Sequence, residues 1–240
     1  MLNNVKIGLG LLNIRSILSK YDNVYEVICD GLDILVLTET WHGSSNEIAV
    51  RRTMPPGYNF VDFVRPHDPF HGGLIIYFKR CFNFKLIRLP VLKTFETLDI
   101  KLKINGTHIV LLAVYRPGSA LISSLFFQEL VAVLEILSLL SNNVVLAGDF
   151  NVHVEKHMDP HSVSLCEIFG NFNLVNRINE PTHELGGVLD LIITSMSFPV
   201  FDIRVLPPGV FSDHGLVQAC LSIDQVIRMK KKGWFDLGKT

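Results

Sequence analysis

The residue types that do chemistry sit at the ends of apolar runs in this chain. Asn13 follows GLGLL, Glu39 follows ILVLT, and Tyr115 and Arg116 follow IVLLAV. Asp149 and Asn151 follow VVLAG, Asp190 sits inside GVLDLIIT, and Asp213 with His214 follows PPGVFS. One carboxylate at the end of a strand is usually a turn or cap residue. Its recurrence along the chain points instead to one site assembled from several strand ends. Carboxylates and carbonyl-type oxygens suit Mg²⁺, a hard cation that binds phosphate oxygens equally well. Asp149 and Asn151 are two apart, so on a strand they share one face while Phe150 points to the other.

The elements that must position these groups are legible from periodicity. Residues 5–14 read as a strand, 32–40 and 144–147 as buried strands, and 18–30 has helical spacing at Leu18, Tyr21, Val24, Tyr25 and Ile28. A turn and strand lie within MPPGYNFVDFVRP, and residues 72–80 and 82–90 read as paired strands. Residues 95–104 alternate apolar and polar, and NGT at 105–107 is a hairpin signal into HIVLLAVYRP. Residues 121–140 form an amphipathic helix, 162–172 a second, and 188–194, 201–207 and 215–223 further strands. Antiparallel hairpins with a few inserted helices predict an α/β fold. Two mixed, mostly antiparallel sheets pack face to face, with helices on the outside of a four-layer sandwich.

Composition narrows the classes. The 240 residues suit one domain over 1–225, followed by a basic tail over 226–240 that leads toward a downstream region. Net charge is −1, from 22 basic and 23 acidic residues, so any nucleic-acid affinity comes from a local patch or from a metal bridging to phosphate. The longest apolar region, 125–146, is broken by Gln128, Glu129, Glu135, Asn142 and Asn143, which excludes a membrane span. No cleavage site follows the N-terminus, and Cys29, Cys81, Cys166 and Cys220 are scattered. Both features predict a nuclear or cytoplasmic protein that is not secreted, and they leave the NGT sequon without meaning. HVEKH at 153–157, with His161, reads as an exposed loop rather than a zinc site. Gly8 and Gly10 lack the third glycine of a dinucleotide loop. Trp41 reads as core or pocket wall. Arg51 and Arg52, in a loop, either line a DNA groove or form a surface pair. RMKKK at 228–232 either touches phosphate or is a solvated linker.

In order, the chain carries LNIRS, LTETW, HGGLIIYF, YRPG, AGDFNVH, EPTHELGGVLDLIIT and SDHGLV. Together these resemble the endonuclease/exonuclease/phosphatase superfamily, which includes deoxyribonuclease-I-like and abasic-site endonucleases. More narrowly, they look like the endonuclease domain of vertebrate non-LTR (LINE) retrotransposons. The resemblance implies a Mg²⁺-dependent (Mn²⁺ also suits) endonuclease that nicks DNA to leave a 3′-hydroxyl. Glu39 is then the principal metal ligand, with Asn13 and Asp213 beside it. Asp149 handles the attacking water and Asn151 orients it. His214 meets a phosphate oxygen and Asp190 holds its imidazole. Tyr115 contacts phosphate or leaving group, while Arg116, Thr182 and Ser212 support the site. The resemblance implies a reverse transcriptase domain downstream, absent from this chain. An abasic-site or other phosphoesterase, or an inactive truncated copy, are the alternative readings. The loops 195–200 and 155–161 are expected to set substrate choice. The family's Arg-Pro-Pro after the tyrosine is here Arg116-Pro117-Gly118.

Overall fold

The computed structural model describes residues 4–43 and 47–224, so the predicted tail and the domain boundary before it lie outside the described residues. In chain order the elements are β1 (Asn4–Asn13), α1 (Tyr21–Cys29), β2 (Ile34–Thr38), α2 (Glu47–Arg52), β3 (Tyr58–Phe63), β4 (Leu74–Lys79), β5 (Asn83–Leu86) and β6 (Glu96–Ile104). Then come β7 (Thr107–Tyr115), α3 (Ser124–Leu140), β8 (Val144–Asp149), α4 (Pro160–Asn171), β9 (Leu174–Asn176), β10 (Asp190–Ser195), β11 (Val200–Val205) and β12 (Val217–Asp224). They form two six-stranded sheets, ordered β11-β12-β1-β2-β4-β3 and β5-β6-β7-β8-β10-β9. The four-layer sandwich predicted from the sequence is the observed fold.

Side-chain alternation explains the layers. On β1, Ile7, Leu9 and Leu11 face the other sheet, while Leu12 and Ile14 face outward with Val24, Val27 and Ile28 of α1. Gly8 and Gly10 lie where a side chain would strike Gly31 and Leu32, so they allow close packing rather than bind a nucleotide. The strands β7 and β8 are apolar on both faces. One face meets the opposite sheet and the other takes Phe126, Leu130, Val133, Leu134 and Leu137 of α3. Asp159 caps α4 by accepting from the backbone of His161 and Ser162, with Pro160 in the first turn. The predicted hairpin closes on Asn105 (φ 50°) and Gly106 (φ 94°), pairing Ile104 with Thr107. All four cysteines are free thiols. Among the described residues no helix is long and apolar enough to cross a membrane.

Three local expectations are corrected. The predicted pairing of 72–80 with 82–90 fails: β4 pairs with β2 and β3, whereas β5 joins β6 in the other sheet. Phe78 and Phe84 instead meet ring to ring, 4.9 Å apart, across the sandwich. Apolar alternation cannot distinguish that contact from ladder pairing. Arg51 and Arg52 end the short helix α2 rather than lying in a loop. They stack over Phe60 and Tyr21, so packing on the outer layer accounts for them. The loop at 195–200 follows β10, which starts beside Asp149 and runs away from it, so this loop lies at the far pole from the polar strand ends.

Topology then places the polar residues. The parallel pairs β1–β2 and β7–β8 end at one pole. The antiparallel strands β10 and β12 begin there, with Asp190 opposite Asp149 and Val217 opposite Leu11.

Candidate active site

Asn13 continues the inward face of β1 and is fully buried. Its Nδ2 donates to Glu39 Oε1 and to Asp149 Oδ2, both at 2.9 Å. One amide thereby ties the two sheets together, because Glu39 follows β2 and Asp149 ends β8. These two carboxylate partners identify which amide atom is nitrogen. The Oδ1 atom accepts from the backbone of Arg15 at 3.3 Å.

Strain concentrates here. Among the described residues eight that are not glycine have positive φ, and Arg15, Ser16, Glu39, Trp41 and Asn151 are five of them. Each costs about 1 kcal/mol or more, sustained by the surrounding bonds. Asn151 illustrates the effect. It lies beyond the end of β8, so strand alternation does not bring it to Asp149 as predicted. Its φ of 49° does, placing Nδ2 2.9 Å from Asp149 Oδ2 and its backbone N–H 2.9 Å from Oδ1. Phe150 is buried as expected, edge-on to Phe169.

Asp190 is the first residue of β10 and is fully buried. Its Oδ2 lies 2.7 Å from His214 Nδ1, which fixes the imidazole with Nε2 toward the cleft. Thr182 Oγ1 accepts the backbone N–H of both Leu189 and Asp190 at 3.0 Å. Ser212 Oγ donates to Asn13 O at 2.5 Å and accepts from His214 N at 3.0 Å, locking the 212–214 turn onto β1. Thr182 and Ser212 are therefore backbone ties. So is Arg116: its buried guanidinium donates to the carbonyls of Phe150, Pro117, Ala120 and Asn151, at 2.7, 3.1, 2.7 and 2.7 Å.

The Tyr115 hydroxyl and the Glu39 carboxylate line the same cleft. Glu96, opposite Tyr115 in the ladder, accepts from Gly73 N at 2.8 Å, and Gly72 and Gly73 carbonyls accept from Trp41 and Thr40. That chain of bonds fixes the Glu39 turn. Thr40 Oγ1, His42 Nδ1 and Asp62 extend it, at 2.7 and 3.1 Å. Trp41 sits outside the cleft, edge-on to His71 at 5.6 Å.

Two residues emerge that sequence reasoning quoted only inside motifs. Arg15 Nη1 pairs with Asp213 Oδ2 at 2.7 Å, and His183 Nε2 lies 3.3 Å from the same oxygen. His183 Nδ1 accepts from Leu185 N at 3.1 Å, which leaves Nε2 facing Asp213. The only sequence signal was polarity before the Gly186-Gly187 turn. The result is a cleft of about 290 Å³ lined by Arg15, Glu39, Tyr115, Asn151, His183 and His214. His153 pairs with Glu155, and His161 stacks on Phe127. The groups of described residues able to hold a metal ion are His183, Asp213 and His214, and Asp149, Asp190 and His214.

The electrostatics are strongly perturbed. Burial, reinforced by the Asp190 charge, raises Asp149 to about 8 against the His214 charge and the Asn13 hydrogen bond. Burial would lower His214, but the hydrogen bond and charge of Asp190, with Asp149 and Asp213, outweigh it and raise the imidazole to about 9. Burial, with the nearby Glu39 and Asp149 charges, lifts the Tyr115 phenol above its usual range, so it stays a donor. The Oδ1 atoms of Asp213 and Asp190 are buried with no partner. The exposed face of Glu39 and the orphaned Asp213 oxygen fit a hard divalent cation. His183, Asp213 and His214 also bring one ligand atom each within 4.8 Å of one another.

Gly118 gives the departure from the Arg-Pro-Pro pattern a spatial meaning. A Cβ there would lie 2.8 Å from Asn151 Oδ1, so this chain keeps its asparagine in place by omitting a side chain.

No curated protein matches the chain in sequence. Solved structures do match in fold. The endonuclease domain of TRAS1, a telomere-specific non-LTR retrotransposon, superposes with a TM-score of 0.71 at 14% identity, covering 90% of this chain and 98% of that one. The AP endonuclease LMAP from Leishmania major gives 0.72 at 17%, covering 91% and 88%. The 3′ phosphatase NExo from Neisseria, bound to a product DNA hairpin, gives 0.64 at 19%, covering 89% and 98%. In sequence, the Endonuclease/Exonuclease/phosphatase family profile matches residues 8–214, from the first sheet's opening strand to the cleft imidazole. This chain therefore belongs to the endonuclease/exonuclease/phosphatase family.

Proposed function

We propose that the chain is a divalent-cation-dependent endonuclease that hydrolyses one DNA strand and leaves a 3′-hydroxyl. The observation that carries this reading is the Asn13 amide bridging Glu39 and Asp149 beside the buried Asp190–His214 pair. Glu39 and Asp213 would hold Mg²⁺ or Mn²⁺, which supplies charge neutralisation on phosphate oxygens. The rest falls to side chains. Asp149, with an affinity for protons near neutrality, accepts a proton from the attacking water, and Asn151 orients that water. His214, held as imidazolium by Asp190, donates from Nε2 to a non-bridging phosphate oxygen. Tyr115 donates its hydroxyl toward the phosphate. Arg15 and Lys20 give the cleft a positive rim that net charge conceals.

The match to the TRAS1 domain supports a retrotransposon role, in which the nicked 3′ end primes reverse transcription by a partner domain. The match to an abasic-site endonuclease of equal quality supports a second reading, cleavage at damaged sites. Incubation with supercoiled plasmid and Mg²⁺ tests the first. Nicking that disappears in Asp149→Ala and His214→Ala is expected, and a parent that leaves plasmid intact sinks it. Strong preference for an abasic duplex selects the second.

A further inference from the structure

Two carboxylates that would meet the divalent cation already face a cation of the protein's own. Arg15 Nη1 is 2.7 Å from Asp213 Oδ2, and its Nε is 3.9 Å from Glu39 Oε2. The backbone around Arg15 is fixed. Ser16 N donates to Glu39 O at 2.8 Å, Arg15 N to Asn13 Oδ1 at 3.3 Å, and Lys20 Nζ to the carbonyls of Ile14 and Arg15 at 2.6 and 3.1 Å. Both residues sit in the left-handed region, at φ 45° and 74°, which aims the side chain across the cleft mouth. The carboxylates are nearly buried, with side-chain exposures of 12% and 16%, whereas the Arg15 side chain is 49% exposed. So the anions are held and the guanidinium is movable.

We propose that Arg15 is a built-in competitor of the divalent cation: it bridges Glu39 and Asp213 in the metal-free protein and gives up both when the cation binds. The inference rests on the reading of Glu39 and Asp213 as cation ligands. In the metal-free state one guanidinium reaches both carboxylates, and a positive charge between them reduces their repulsion. His183 Nε2 also faces Asp213 Oδ2, at 3.3 Å. A divalent cation entering this volume meets a guanidinium within ion-pair distance of both ligands and must displace it, so Arg15 weakens cation binding. The displaced guanidinium stays tethered at the mouth, where an anionic substrate enters, and its planar fork suits phosphate.

Mn²⁺ binding, followed by electron paramagnetic resonance of the unbound ion, separates the outcomes in the full chain, Arg15→Gln, Arg15→Lys and Glu39→Gln. Arg15→Gln binds Mn²⁺ about ten- to hundredfold more tightly than the parent, and Arg15→Lys, which keeps the charge, stays near it. If Glu39→Gln weakens binding but Arg15→Gln does not tighten it, the Arg15 proposal is overturned while the ligand reading survives. If Glu39→Gln binds as the parent does, the ligand reading fails and takes the proposal with it. A second measurement needs no variant. The Arg15 Nε–Hε resonance moves toward that of free arginine as Mg²⁺ is added, and a resonance that stays still while Mg²⁺ binds overturns the proposal.

Discussion

Replacing Asp190 with Asn should uncouple the cleft imidazole from its charge while changing almost no volume. In the parent, His214 Nδ1 lies 2.7 Å from Asp190 Oδ2, with side-chain exposures of 4% and 0%. The imidazole is raised from 6.5 to about 9, although its burial alone would lower it. That rise of about 2.5 units corresponds to about 3 kcal/mol favouring the charged ring. Asp149 and Asp213 supply part of it, so the Asn variant should lose about two units, and burial then holds the ring neutral at pH 7.5. The sign for stability follows from the raised value. The contribution is fully present below 6.5 and is lost as pH rises through 9. Urea unfolding of the metal-free parent should therefore weaken by up to about 3 kcal/mol between pH 6 and pH 9.5, and the variant should be flatter. Imidazole NMR titration in the presence of chelator measures the shift directly. Nicking at pH 7.5 should fall by about a hundredfold and its optimum should move to lower pH. A variant whose His214 titrates within about half a unit of the parent refutes the whole chain of reasoning.

Three further outcomes follow from neighbouring groups. Asp99 is buried under the outer layer, held by Thr97 alone and raised to about 7. Its cost therefore appears as pH rises from about 4 to about 7, and Asp99→Asn should gain up to about 4 kcal/mol in urea unfolding at pH 8 but little at pH 4. Gly118→Ala would place its Cβ 2.8 Å from Asn151 Oδ1, so it should lower kcat about tenfold with the melting temperature nearly unchanged; an unaffected kcat would show that Asn151 tolerates displacement. Arg116→Lys cannot reach four carbonyls with one ammonium and should destabilise by about 3 kcal/mol in urea, with weakened nicking as the 116–120 and 150–151 turns separate.

The strand ends were legible because an apolar run that stops at a carboxylate is visible in one dimension. Asn13, Glu39, Tyr115, Asp149, Asp190 and His214 all lie at one pole because β1, β2, β7 and β8 end there while β10 and β12 begin there. Turn chemistry was legible where it follows from residue type, as at Asn105-Gly106. It was hidden at Glu39, whose left-handed backbone is imposed by tertiary bonds rather than by propensity. Arg15 and His183 were invisible as site residues for a related reason. Each acquires its role only through Asp213, about 200 and 30 residues distant. The pairing of β4 with β5 was misread because a contact across the sandwich and a contact along a ladder leave the same apolar pattern. The three-residue β9 is too short for periodicity to register.

The order β11-β12-β1-β2 has a consequence for how the molecule comes into being. The first strand is flanked on one side by the second and on the other by the last, joined from Asn4–Asp224 to Leu11–Val217. During synthesis one edge of β1 stays without a partner until nearly every other described element exists. The two tyings of Asn13, through its amide to Asp149 and through its carbonyl to Ser212, span 136 and 199 residues. Pairings of such sequence separation form late and close large loops, so the catalytic pole is among the last parts to acquire order. A ribosome-bound intermediate lacking β12 would expose the β1 edge to other chains, and the polar cleft would be incomplete for that whole interval. Assembly of the cleft and completion of the first sheet are thus one event in time.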